Sequence, residues 1–390
     1  VVGLLKACNS HTYSDSVIEG RLIHGKIVEE GRELDVYIGS ILIDVYSKSQ
    51  CVTDAEFVFR GLGSRKNLIS WGALINGYAR NGEEMRVFKL LDEMIQEGIQ
   101  PNEPILVSSL KACGNLYLLK QGRKLHDLIV KIDLSSNVGV GNKLIDVYAK
   151  CGFLLKSQEV FDKIPIRDVV SWTTLITGYA EHQYYKEALE CFEQMQLEGI
   201  SPDPVTFICI LSVCSSLGDT DEAHHIHAEI ELKGFLEKDL VLGNTLINTY
   251  AKLGLLMVAQ YVFDCLQTHD GVSWTTLIVG YAECGHGKEA LEYFDKMQLE
   301  GFSPNGIIFV CILNICGDIG AIDKGLEIHA EISRNGLFER DSLVCNALII
   351  MYAEFGFLPK AQEVFDKLIR DRDMVSWTSI ICKVLESLSI

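Results

Sequence analysis

The stretch VVSWTTLITGYAE at 169–181 returns as GVSWTTLIVGYAE at 271–283, and LISWGALINGYAR at 68–80 and MVSWTSIICKVLE at 374–386 are weaker copies of it. All the tryptophans of the chain, Trp71, Trp172, Trp274 and Trp377, hold one place in this phrase and follow one another at 101, 102 and 103 residues. Repetition at a fixed period decides the architecture before any site is considered, because each copy leaves the same apolar face for its neighbour to cover.

The bulk numbers fit a repeat array. Among 390 residues the hydrophobic content is 48%, which excludes disorder, and no apolar run approaches the ~18 residues of a membrane span. Thirteen cysteines form no CxxC pair, so neither a disulfide framework nor a zinc ribbon is implied. Cys8, Cys113, Cys214 and Cys316 recur in KAC, KAC, SVC and NIC, as small buried hydrophobes would. Thirty-five basic against 53 acidic residues give a net charge of -18, which ordinarily argues against a polyanionic partner. The chain opens in mid-repeat at VVGLLKACNS with neither a signal nor a transit peptide, so any targeting segment is expected upstream.

Within each interval of about a hundred residues, three helix-turn-helix units of different length align. Their ends fall at residues 35, 67, 102, 137, 168, 203, 239, 270, 305, 341 and 373, and every one is Asp or Asn. In the unit 169–203, Ala188, Phe192 and Met195 stand at i, i+4 and i+7, the buried stripe of a second helix. Helix pairs with one apolar face must stack, so the expected fold is all-α, an α-solenoid superhelix with a long concave surface.

The 35-residue phrase GYAxxxxxxEALExFxxMQLEGxSP, KACGNLYLLKQGRKLHDLIVK at 111–131 and VGNKLIDVYAKCGFLLKSQEVFDKIPIRD at 140–168 resemble the P, L and S motifs of plant pentatricopeptide repeat proteins of the PLS class. The resemblance covers nearly the whole chain. It implies one array: 1–35 L, 36–67 S, 68–102 P, 103–137 L, 138–168 S, 169–203 P, 204–239 L, 240–270 S, 271–305 P, 306–341 L, 342–373 S and 374–390 a partial P. The first unit, with extra residues around NSHTYSDSV, and the final ICKVLESLSI match least well.

In that family single-stranded RNA is read one base per repeat, through the fifth residue of a unit and its last. The resemblance implies the pairs Ser40 with Asn67, Asn142 with Asp168, Thr173 with Asp203, Asn244 with Asp270, Thr275 with Asn305, and Asn346 with Asp373. Gly72, paired with Asn102, has no side chain to read with, and Val107, Ile208 and Val310 at the fifth place of L units cannot hydrogen-bond a base. Uracil and guanine carry an imino N–H that a boundary aspartate accepts, directly or through water, whereas a boundary asparagine can donate to the ring nitrogen of adenine or cytosine. Asn at the fifth place suits a pyrimidine, and Ser or Thr leaves room for a purine. With parallel polarity the units from Ser40 onward then read 5′-A-N-N-U-G-N-U-A-N-U-3′. Val170, Val241, Val272 and Val375 at the second place would hold the bases between them.

Each of these readings has a structural competitor. A boundary Asp or Asn is also a helix N-cap, although capping alone does not explain why the fifth residue changes with unit type. Lys48, Arg80, Lys150 and Lys252 end the first helix, as candidates for phosphate contact or for the helix dipole; Glu181, Glu283 and Glu354 take the same place elsewhere. HAE at His227–Glu229 and His329–Glu331 matches half of a zinc-deaminase signature, but the P-C-x-x-C half is missing. His224 and His227 could share a face, yet two imidazoles make no metal site. No metal, cofactor or catalytic residue is therefore expected, and no membrane. The resemblance implies a non-catalytic specificity factor for C-to-U editing of organellar RNA in chloroplast or mitochondrion. Small editing-factor proteins would dock on L units, and a deaminase would act in trans. The competing class is a tetratricopeptide-like protein scaffold, to which the acidic charge points.

Overall fold

The computed structural model describes residues 35–336 and 341–367, with positions 21, 22, 24–26 and 29 before them. Among the described residues the regular structure is entirely helical, the all-α repeat fold expected from the recurring phrase. The chain divides into two compact units, residues 1–206 and 207–390.

In the first unit the helices run in antiparallel pairs: α1 (Val36–Lys48) with α2 (Val52–Gly61), α3 (Leu68–Arg80) with α4 (Glu84–Gln96), α5 (Glu103–Asn115) with α6 (Leu119–Lys131), α7 (Val138–Lys150) with α8 (Leu154–Asp162), and α9 (Val169–Glu181) with α10 (Tyr185–Leu197). Each first helix packs on the next, α1 on α3 on α5 on α7 on α9, and second helices α2, α4, α6 and α8 lean on the first helix of the following pair. Helix α11 (Pro204–Leu217) carries the chain across the division. The second unit continues with α12 (Thr220–Leu232), α13 (Leu240–Lys252), α14 (Leu256–Cys265), α15 (Gly271–Glu283), α16 (Gly287–Leu299), α17 (Gly306–Ile319), α18 (Ile322–Arg334), α19 (Ser342–Glu354) and α20 (Leu358–Lys367). There α13, α15, α17 and α19 form the ladder of first helices.

The tryptophan of the phrase explains its own recurrence. Trp71, Trp172 and Trp274 are buried and meet Phe59, Phe161 and Phe263 of the preceding second helix edge to face, at 4.7, 4.6 and 4.8 Å, the geometry that aromatic quadrupoles favour. Six residues on, a glycine lets first helices touch. A Cβ at Gly178 would lie 2.6 Å from that of Ala149, and one at Gly280 the same distance from that of Ala251. The turn between paired helices needs a left-handed residue. Gly152 (φ 77°) and Gly254 (φ 74°) supply it without strain, while Gln183 (φ 65°) takes the same place after α9.

Ala188, Phe192 and Met195 are buried as their spacing requires. So are Cys113, Cys214 and Cys316, whose thiols burial pushes up to about 11, 12 and 11; Cys8 lies outside the described residues. No described helix is long and apolar enough to cross a membrane.

Candidate nucleic-acid interface

Every described Asp or Asn at positions 35, 67, 102, 137, 168, 203, 239, 270, 305 and 341 is followed at once by a first helix. Each accepts a hydrogen bond from a backbone N–H of that helix's first turn. These are N-caps, and they satisfy donors that the helix itself cannot. Capping and pairing are compatible, because one carboxylate oxygen can accept more than one donor: Asp168 Oδ1 and Asp270 Oδ1 each take both the cap N–H and an asparagine amide.

Four of the pairs come together. Asn142 Nδ2 donates to Asp168 Oδ1 at 3.2 Å, and Asn244 Nδ2 to Asp270 Oδ1 at 3.4 Å. Asn305 Nδ2 donates to Thr275 Oγ1 at 3.1 Å. Thr173 reaches Asp203 through Thr206: its hydroxyl lies 2.6 Å from that of Thr206, which donates to Asp203 Oδ1 at 2.7 Å. The pair Ser40 and Asn67 is not joined in this way. The Ser40 hydroxyl donates to Val36 O at 2.7 Å, and Asn67 Oδ1 serves the Ser70 N–H at 3.0 Å. Asn346 is buried; its partner Asp373, and Val375, lie outside the described residues.

Five of the polar fifth residues are buried, and Thr275 is half-buried. Ser40, Asn142, Thr173, Asn244 and Asn346 are all more than nine-tenths buried, and the Oδ1 atoms of Asn142 and Asn244 have no hydrogen-bond partner among the described residues. Asp168, by contrast, is exposed, and Asp203 and Asp270 are half-buried. The fifth residue thus steadies the boundary side chain, and the boundary side chain faces solvent. Burial opposes ionisation of Asp168 and Asp270, but the serine N–H and hydroxyl donors and the asparagine amide outweigh it and hold both carboxyls below their usual range.

Around one pair the surface is concave. A cavity of about 330 Å³ is lined by Lys150, Val170, Thr173, Asp203 and Val205, with Asp146 and Glu181 at its wall. It brings together a fifth residue, its boundary partner, two flanking apolar side chains and a cation. Val170, Val241 and Val272 are exposed at 51%, 64% and 57%. Tyr37, Ile69, Val205, Ile307 and Leu343 are equally exposed at the same second place of their helices. The sequence reading passed over these five; their register, two residues after the cap, was the available signal.

The cations are less uniform than their spacing suggests. Lys48 is paired with Asp44 at 2.7 Å and Lys150 with Asp146 at 3.1 Å, one turn earlier on the same helix, whereas Arg80 and Lys252 are exposed. Val107, Ile208 and Val310 are half-buried. The histidines of the HAE triplets are packing residues: His227 Nδ1 lies 3.0 Å from the Tyr250 hydroxyl and His329 Nδ1 2.6 Å from that of Tyr352, as His126 does from Tyr148 at 2.9 Å. Among the described residues no group of His, Cys, Asp or Glu could hold a metal ion.

Comparison with known proteins agrees with this geometry. The PPR repeat matches residues 69–99, 142–169, 205–235, 272–302 and 343–372, and the PPR repeat family matches residues 167–216. Pentatricopeptide repeat-containing protein At4g33990 of Arabidopsis thaliana is 34% identical over 380 residues, 97% of this chain and 44% of that protein. The chloroplastic At1g11290 of the same plant is 30% identical over 378 residues, 97% of this chain and 46% of its own length. The chain spans about half the length of the curated relatives it matches. Among solved structures, pentatricopeptide repeat protein PPR10 from maize superposes with a TM-score of 0.63 at 21% identity over 96% of this chain and 59% of its own. PPR10 in complex with an 18-nt psaJ RNA element superposes at 0.64 and 20% identity, over 80% and 47%. Repeated phrase, capped helix pairs and sequence relatives lead to one conclusion: the chain belongs to the pentatricopeptide repeat family.

Proposed function

We propose that this chain binds single-stranded RNA in a sequence-specific way, one base per repeat, and that its units follow the P, L, S order of editing factors. The observation that carries the reading is the cavity beside Asp203, where a polar pair, two exposed valines and Lys150 surround a space open to solvent. A base entering it would lie between Val170 and Val205 with its edge toward Asp203. PPR10 supports the reading, being a protein of this fold solved holding RNA. The role in choosing sites for C-to-U editing, with a deaminase supplied in trans and small proteins docked on Val107, Ile208 and Val310, rests on the unit pattern. Relatives named chloroplastic and mitochondrial favour an organellar setting.

The net charge of -18 and the acid-paired Lys48 and Lys150 leave few cations for phosphate. Affinity should therefore fall gently with salt, with roughly two to four counterions released. Selection from a randomised RNA pool tests the proposal. Enrichment of 5′-ANNUGNUANU-3′ is expected, and failure to enrich any motif would leave the protein scaffold as the surviving reading.

A further inference from the structure

Resting on that reading, we propose that the hydroxyl three residues after a base-reading aspartate is a specificity-determining positioning group. Ser171, Thr206 and Ser273 each pin one carboxylate oxygen, so that the other is presented to the RNA base.

The geometry repeats three times. Asp168 Oδ1 accepts from the Ser171 N–H and the Ser171 hydroxyl, both at 2.8 Å, and from Asn142. Asp270 Oδ1 accepts from the Ser273 N–H at 2.8 Å and hydroxyl at 3.0 Å, from the Val272 N–H, and from Asn244. Asp203 Oδ1 accepts from the Thr206 N–H at 2.8 Å and hydroxyl at 2.7 Å. In each case every donor among the described residues converges on Oδ1, and none of them reaches Oδ2. A carboxylate offers about four lone-pair sites on two oxygens. Loading one oxygen fixes the side-chain torsions and leaves the other as the only acceptor facing outward.

An internal control is built into the chain. Asp239 and Asp341 cap helices in the same way, but they end units whose fifth residues are Ile208 and Val310, and the third place after them is Leu242 and Val344. Capping alone is thus achieved without a hydroxyl. The hydroxyl accompanies an aspartate where a polar fifth residue is present as well. At Asn67, whose side chain is an amide, the Ser70 hydroxyl donates to the backbone oxygen instead, at 2.9 Å.

The test uses the intact chain and synthetic ten-nucleotide RNAs of sequence 5′-ANNUGNUANU-3′ that carry U or C at the fourth position, the one assigned to Asn142 and Asp168. Asp168→Ala should abolish the preference for U. Ser171→Ala keeps the backbone cap and should lower the U-over-C affinity ratio roughly threefold to tenfold, the worth of one hydrogen bond, with the ratio at the Asp270 position unchanged. Ser171→Thr should restore it. A full preference in Ser171→Ala alongside a lost one in Asp168→Ala overturns the positioning role while leaving the RNA reading intact. An unchanged preference in Asp168→Ala overturns the reading itself. Should Ser171→Ala not fold, Thr206→Val decides the matter at the fifth position, with G against A as the measured ratio.

Discussion

The Asn244 amide donates to the Asp270 carboxylate across 3.4 Å, joining two first helices of successive pairs through side chains 26 residues apart. The contact links the composition of one repeat to the orientation of the residue that opens the next. Asn244→Thr removes this donor and shortens the side chain while leaving Asp270 its serine partners. On the proposed reading, the preferred base at the seventh position should change from U to G, with a discrimination of roughly 1–3 kcal/mol by analogy with base-edge contacts in DNA. Competition binding with RNAs differing only there measures it, and an equal loss for all four bases would mean that the pair is merely structural.

Gly72 offers the converse experiment. A Cβ there would approach Ile105 at 3.5 and 3.6 Å, ordinary van der Waals contact, so a side chain fits. Gly72→Thr opposite Asn102 should give a silent repeat a preference for A at the second position of the RNA. It should also stabilise α3 by up to about 0.5 kcal/mol, since glycine inside a helix costs up to ~1 kcal/mol and threonine recovers only part of that. Enrichment of A at that position after RNA selection is the readout.

Gln183 holds φ 65° in an exposed turn where Gly152 and Gly254 hold the same conformation freely. The left-handed region costs a residue with a Cβ roughly 1–2 kcal/mol, partly offset by the greater chain entropy of glycine. Gln183→Gly should therefore raise stability by about 0.5–1 kcal/mol, seen as a higher urea midpoint with unchanged slope. A lower midpoint would show that the glutamine contributes something beyond the turn.

Burial lowers the pKa of His126, His227 and His329 below the ordinary histidine value, and nearby charges modify it: Lys156 and Lys163 also lower His126, Glu231 opposes at His227, and Lys367 also lowers His329. The unfolded chain binds these protons first. Between the unfolded value of about 6.5 and the lower folded values, stability should fall as pH falls, and above 6.5 it should be flat in these groups. Asp168 and Asp270 act in the same direction, but only below the ordinary carboxylate range. Thermal melts from pH 7.5 to 5 check the window, and His227→Gln should flatten part of the slope.

The fold was legible because each structural demand left a residue type behind. The edge-to-face contact required tryptophan, the close helix contact required glycine, and the start of every described first helix took Asp or Asn. The pairs Asn142–Asp168 and Asn244–Asp270 were legible for the same reason. The role of Thr206 was hidden because a hydroxyl three residues after a cap has several local partners, and only geometry shows that it links Thr173 to Asp203. At Ser40 the side chain is engaged locally: a serine in a helix can donate to the carbonyl four residues back, and this one does. The pairing of Lys48 with Asp44 and of Lys150 with Asp146 was available from the four-residue spacing and weakens the case for those two lysines on phosphate.

The contact of Gly178 with Ala149, repeated at Gly280 with Ala251, does more than permit close packing. It works as a spacer gauge: with only an alanine methyl between the two backbones, the interval from one first helix to its neighbour is set by the width of that methyl group. Nucleotides along an extended strand have an interval of their own, and a ladder of readers is useful only while the two rulers stay in step. On the proposed reading, widening one rung by a single methyl would shift the next reader out of phase with its base.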